Sequence, residues 1–175
     1  MNAPVYLDYQ ATTPVAPEVA AAMRPWIEEK FANPHSSHKL GREAEAAIEV
    51  ARDRVIGALH SICLGNLYFT SGATEAANWV LKGAAVRFPE NRRKIVTVAT
   101  EHACVLDTVE WLGGQGFETE ILPVGPDGLV ALNLAEERID DRTGLVAVML
   151  VNNEIGAIQP VAEIGSLARA RGAFL

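Results

Sequence analysis

From residue 67 onward the chain alternates between short apolar segments and stretches with helical periodicity. Residues 67–69 (Leu-Tyr-Phe), 95–99, 118–122 and 145–151 read as strands, and another strand begins at Ala173. Between them, residues 75–86, 105–112, 133–138 and 161–171 read as helices. The first of these helices is expected to turn Ala77, Val80, Leu81 and Ala84 inward. The unbroken apolar run from Leu145 to Val151 fits a strand covered on both faces, as in a parallel sheet. Such alternation predicts an α/β fold with a largely parallel sheet and flanking helices.

The first sixty residues follow a different pattern. Val5-Tyr6-Leu7 runs into a polar turn that ends at Pro14, and Pro17 suits a first helical position. Val19, Met23, Ile27 and Phe31 recur at helical spacing, with Pro25 expected to kink or interrupt the helix. Residues 33–38, Asn-Pro-His-Ser-Ser-His, read as a loop. Leu40, Ala44, Ile48, Ala51, Val55 and Leu59 then form one face of a long helix, opposite Arg42, Glu45, Glu49 and Arg52. The organisation expected is an amino-terminal arm and long helix over 1–60, followed by an incomplete α/β domain over 61–175. The incompleteness is read from the strand that begins at Ala173, which would expose a sheet edge; more protein is expected to belong after Leu175.

Three polar motifs follow strand segments directly, where the crevice of a parallel sheet receives ligands. Thr70-Ser71-Gly72-Ala73-Thr74 links a strand to a helix. Its helix-start amides and hydroxyls suit a phosphate, with Gly72 allowing a tight turn, although Ser71 or Thr74 would equally serve as a plain N-cap. Glu101-His102 sets an imidazole where it can exchange protons or lie against a ring, or else cap the next helix. Asn152-Asn153-Glu154 ends the most apolar strand; these groups either meet a ligand or close an Asx turn at Gly156.

Composition narrows the chemistry. A formal net charge of −7 with no basic stripe argues against nucleic-acid or anionic-membrane partners. No apolar stretch approaches the ~20 residues of a membrane span, and no secretory signal is visible, so a cytoplasmic location is expected. His35, His38, His60, Cys63, His102 and Cys104 do not combine into a spaced tetrahedral set, so no metal site is expected. Gly113-Gly114-Gln115-Gly116 follows a helix rather than a strand and is set aside as a dinucleotide turn.

Taken together, five segments resemble the amino-terminal part of the cysteine desulfurases, which are fold-type-I, class-V aminotransferase-like enzymes that use pyridoxal 5′-phosphate (PLP). They are residues 6–14 (YLDYQATTP), 33–38 (NPHSSH), 69–75 (FTSGATE), 101–108 (EHACVLDT) and 151–156 (VNNEIG), in the family's order and spacing. The resemblance implies that Ala73 and Thr74 hold the cofactor phosphate and that His102 stacks on the ring and assists proton transfer. It also implies that Asn153 lies near the ring hydroxyl and the substrate carboxylate, and that Asn33 borders the substrate side. Further implications are L-cysteine as substrate, a homodimer, a sulfur-acceptor or scaffold partner, and a role in iron–sulfur cluster or thio-cofactor assembly.

The same resemblance places other family residues after Leu175: the aspartate facing the ring nitrogen, the cofactor-binding lysine and the persulfide-forming cysteine. Lys30, Lys39, Lys82 and Lys94 occupy no matching motif, and neither Cys63 nor Cys104 matches the sulfur-accepting position. The chain alone is therefore expected to be inactive, with the carboxy-terminal half supplied in cis or in trans. Two alternatives stand beside this reading. One is part of another PLP lyase or aminotransferase; the other is a non-catalytic relic that binds a partner enzyme.

Overall fold

The computed structural model describes residues 4–59 and 66–175; His60, Cys63 and the turn around them lie outside these. Two units are distinguished, residues 1–69 and residues 70–175.

In the first unit, α1 (Pro17–Glu28) starts with proline in its first turn and runs through Pro25. The proline sits close enough to the carboxyl end that only one intrahelical donor is lost. Its own carbonyl accepts from Glu29 and Lys30, so the helix is not interrupted. Helix α2 (Lys39–Ala58) is capped by His38, whose Nδ1 accepts the Gly41 amide at 3.2 Å. Gly41 is required by contact, since a Cβ there would stand 2.1 Å from the Ser36 carbonyl oxygen. The helix thus packs its first turn directly beneath the 33–37 loop. The expected apolar face of α2 is buried only at Ala44, while Leu40, Ile48, Val55 and Leu59 remain exposed.

The second unit carries the sheet. Strand β1 (Lys94–Val98) pairs in parallel with β2 (Glu118–Leu122) on one side and β3 (Thr143–Ala147) on the other. Phe174 adds a parallel bridge to Leu145, which extends the order to β2-β1-β3-Phe174. Helices α3 (Ala73–Ala85) and α4 (Ala103–Gly114) pack on each other, and their buried Leu81, Val109 and Leu112 meet Ile95 and Leu145. Helices α5 (Leu132–Arg138) and α6 (Val161–Ala170) serve the other face, where Ala135 and Ile164 meet Val96, Val98 and Val146. Successive strand residues therefore feed opposite cores, as the pleat requires. All five residues of β1 are buried, which makes it the centre of the fold.

Three strand and helix expectations need correction. Residues 67–69 form no strand, because a strand exists through its partners and this segment has none among the described residues. The 145–151 run is strand only over its first part, since β3 spans 143–147; Leu150 and Val151 are exposed, and Val151 instead bridges Ile158 in an antiparallel sense. On α3 the buried residues are Leu81 and Ala85, whereas Val80 is exposed.

At the amino-terminal end of the sheet, buried Lys94 donates to the Arg138 carbonyl at 2.7 Å and pairs with Glu120 at 2.8 Å and Asp140 at 3.3 Å. Burial raises the Asp140 carboxyl, but hydrogen bonds from Arg142 and Lys94 together outweigh it and hold the group at about 2. A carboxyl held below its ordinary value stabilises the fold above that value and loses the contribution as pH falls through the folded one. Stability should thus fall between about pH 4 and about pH 2, by on the order of 1–2 kcal/mol after allowance for partial exposure. In urea titrations Asp140→Asn should flatten that decline, and Lys94→Met should cost about 1–3 kcal/mol at neutral pH, since Glu120 and Asp140 keep Arg138 and Arg142 but lose their buried cation.

Candidate functional site at the carboxyl ends of β1 and β3

The connection after β1 passes through α4 on one face, and the connection after β3 passes through α6 on the other. Neighbouring parallel strands whose connections leave to opposite sides define a switch point, where a crevice opens beyond the carboxyl ends. A polar crevice of about 320 Å³ lies there, lined by Thr100, Glu101, His102, Asn152, Asn153 and Glu154 among others. Glu101 and His102 also line an adjoining apolar trough of about 580 Å³, together with Ala73, Val80, Met149 and Leu175.

His102 is the N-cap of α4, and its Nδ1 accepts the Cys104 amide at 3.1 Å. An accepting Nδ1 carries no proton, so the neutral ring presents Nε2–H as its donor. Capping and chemistry are therefore compatible, one nitrogen for each. Glu101 accepts the His102 amide at 3.0 Å. Burial raises its carboxyl above the ordinary value, and the His102 amide is foremost among the groups that partly oppose the rise.

Asn152 forms the Asx turn allowed for in the sequence reading. Its Oδ1 accepts the amides of Glu154 and Ile155, both at 2.9 Å. Gly156, with φ 71°, donates back to the Asn152 carbonyl at 2.9 Å. Asn153 is exposed at the crest of this loop.

The start of α3 differs from a simple cap. Gly72 is the N-cap residue and no side chain caps the helix. Ser71 instead donates its amide and hydroxyl to Glu75 at 2.7 and 2.6 Å, and Thr70 donates its hydroxyl to the Gly72 carbonyl at 3.0 Å. These bonds, the Ser71 hydroxyl first, hold the Glu75 carboxyl below its ordinary value. Gly72 is extended rather than tightly turned, with φ 166°, and a Cβ there would meet no atom within 4 Å. The hydroxyls thus turn onto the loop itself and leave the start of α3 without a side-chain cap. Uncapped helix starts can receive an anion.

The structure brings Ala73 and His102 to one cavity and His102 and Asn153 to the other. Thr74 lies beside Ala73 in the first turn of α3, and its carbonyl accepts Asn78 Nδ2 at 3.0 Å. Asn33 belongs to the amino-terminal unit, where its side chain accepts the His35 amide at 2.9 Å. Sequence reasoning missed two supports. Thr108, buried on α4, donates to Asn78 Oδ1 at 3.0 Å and ties α3 to α4. Buried Gln159 accepts the Val130 amide at 3.1 Å and donates to the Gly128 carbonyl at 2.7 Å, which anchors the return of the 151–158 loop. Neither has a motif; each is legible only once two distant segments are adjacent.

Comparison with known proteins agrees with this architecture. The aminotransferase class-V family model matches residues 5–175, and the chain belongs to that family. Within it, the chain is 49% identical over 175 residues to cysteine desulfurase IscS of Rickettsia akari and 47% identical to that of Rickettsia bellii. It covers 99% and 98% of itself in these matches, but only 42% of either relative. A NifS-like protein superposes with a TM-score of 0.88 at 38% identity, over 96% of this chain and 46% of that one. DndA from Streptomyces lividans gives 0.81 at 40%, over 98% and 48%. The chain therefore corresponds to the amino-terminal portion of cysteine desulfurase homologues and spans less than half their length.

The dual role of His102 is open to test. His102→Ala should cost about 1 kcal/mol in thermal or urea unfolding through loss of the cap, whereas His102→Asn, a strong N-cap residue, should restore most of it. Equal destabilisation by both would mean that the Cys104 bond does not support α4.

Proposed function

We propose that this chain supplies the phosphate-binding and ring-stacking half of a PLP-dependent cysteine desulfurase. The observation that carries the reading is the convergence of an uncapped helix start at Ala73, an outward imidazole at His102 and the Asn152-Asn153 loop around one switch point. These donors fit the cofactor: amides for its phosphate, a flat ring for its pyridine face, and an amide side chain for its hydroxyl. When bound, PLP supplies the electron sink that makes bonds of an amino-acid substrate labile.

In this reading the amides of Ala73 and Thr74 neutralise phosphate charge. His102 stacks on the ring, held by the Cys104 bond, and offers Nε2–H as a hydrogen-bond donor; for it to assist proton transfer at Nε2, Nδ1 must take the proton and release the Cys104 amide. Asn153 orients the ring hydroxyl and the substrate carboxylate, and Asn33 borders the substrate. The overall conversion is L-cysteine plus an enzyme thiol to L-alanine plus an enzyme persulfide, which passes sulfur to an acceptor or scaffold protein.

The cofactor-binding lysine and the sulfur-accepting thiol are assigned to polypeptide equivalent to the remaining length of the relatives. In the sheet-bearing unit, Lys94 is buried at the amino-terminal end of β1 on Glu120 and Asp140, and Lys82 lies over Trp111. Both are committed elsewhere. The same reading makes the whole enzyme a cytoplasmic homodimer.

The test is reconstitution. Co-purified with a polypeptide spanning the rest of a cysteine desulfurase, the chain should carry PLP bound covalently to a lysine of that polypeptide and release sulfide and alanine from L-cysteine, while the chain alone should bind the cofactor only reversibly and release neither. Alanine formation from kynurenine without sulfide release from cysteine would assign the chain to a different PLP enzyme. Tight binding to an intact desulfurase with no cofactor acquired would support a non-catalytic partner.

A further inference from the structure

We propose that Asn152 is the positioning residue of this site, a clamp that holds the Asn153 loop against the loop carrying His102. Ladder pairing between β1 and β3 ends at Thr97 and Ala147, so main-chain bonding of the sheet does not reach either loop. Asn152 closes that gap. Its Nδ2 donates to the Thr100 carbonyl at 2.7 Å, across 52 residues of sequence. An asparagine that served only an Asx turn would need its Oδ1 alone; here Oδ1 makes the turn and Nδ2 makes the bridge. The main chain of Asn152 is bound as well, with its amide on the Ala157 carbonyl at 2.9 Å.

On the Thr100 side of this bridge, Glu101 accepts the His102 amide at 3.0 Å within its own loop. The bridge therefore reaches the turn that carries the imidazole: His102 lies two residues from Thr100, and Asn153 one residue from Asn152. The effect is to fix the spacing of imidazole and amide before any ligand arrives. The consequence for PLP rests on the functional reading above; the geometry does not.

Residue-resolved amide hydrogen exchange on the full chain tests the clamp. Asn152→Asp keeps both turn acceptors but sets a carboxylate oxygen against the Thr100 carbonyl, whereas Asn152→Ala removes turn and bridge together. With Asp, the Glu154 and Ile155 amides should stay protected while exchange at His102 rises at least about tenfold. With Ala, all three should exchange faster, and core amides such as Val96 and Val146 should be unchanged in both. A merely structural asparagine would not divide the loops in this way. Unchanged exchange at His102 in the Asp variant would overturn the proposal. So would solvent-like exchange of the Asn152 side-chain protons in the unsubstituted chain, a measurement that needs no variant to fold. If the functional reading alone is wrong, the exchange pattern holds while the reconstituted protein releases no sulfide.

Discussion

The parallel pairing of Ile95-Val96-Thr97 with Leu145-Val146-Ala147 is the interaction on which the rest of this structure depends. It places the carboxyl ends of β1 and β3 side by side, one strand spacing apart. Because the two strands hand on to helices on opposite faces, a crevice opens between their ends. The Thr97 hydroxyl reinforces the junction by donating to the Ala147 carbonyl at 2.8 Å, where the ladder stops. Shift that register by one residue and the alternation that feeds two cores is lost, and the two polar loops separate.

From this junction the site is built outward by helix ends and turns rather than by the sheet. His102 acts at once as structural cap and as a donor with a defined tautomer, because a helix start needs an acceptor and a neutral imidazole has one acceptor and one donor nitrogen. At α3 the logic is reversed. Ser71 and Thr70 turn their hydroxyls onto Glu75 and Gly72, so the helix start has no side-chain cap and the space above Gly72 is open. One helix start is capped by a side chain and the other is not.

Much of this was legible in the sequence, for reasons that differ by element. Strand β1 and helices α4, α5 and α6 announce themselves because the partners that bury them are present and leave a periodic trace, whereas α2 and β2 show their pattern although little of either is buried. Residues 67–69 misled because β-type composition was read as a strand with no partner to pair with. Residues 148–151 misled because an apolar run does not show where pairing ends. Gly72 was expected to permit a tight turn, yet its backbone is extended, and its contribution is the space left by the missing Cβ. The residues His102, Asn153, Ala73 and Thr74 could be named because they sit in contiguous motifs. Asn78, Thr108 and Gln159 could not, because each depends on a contact between segments far apart in sequence.

The central claim is that the cofactor cradle is already assembled within this chain. Pyridoxamine 5′-phosphate carries the phosphate and ring of PLP and needs no lysine to bind, so a titration followed by amide and imidazole NMR signals tests the claim directly. The account expects saturable shifts at the amides of Ala73, Thr74 and Glu75, at the His102 ring and at the Asn153 side chain. Shifts confined to other surfaces, or none at these residues under saturating ligand, would contradict it.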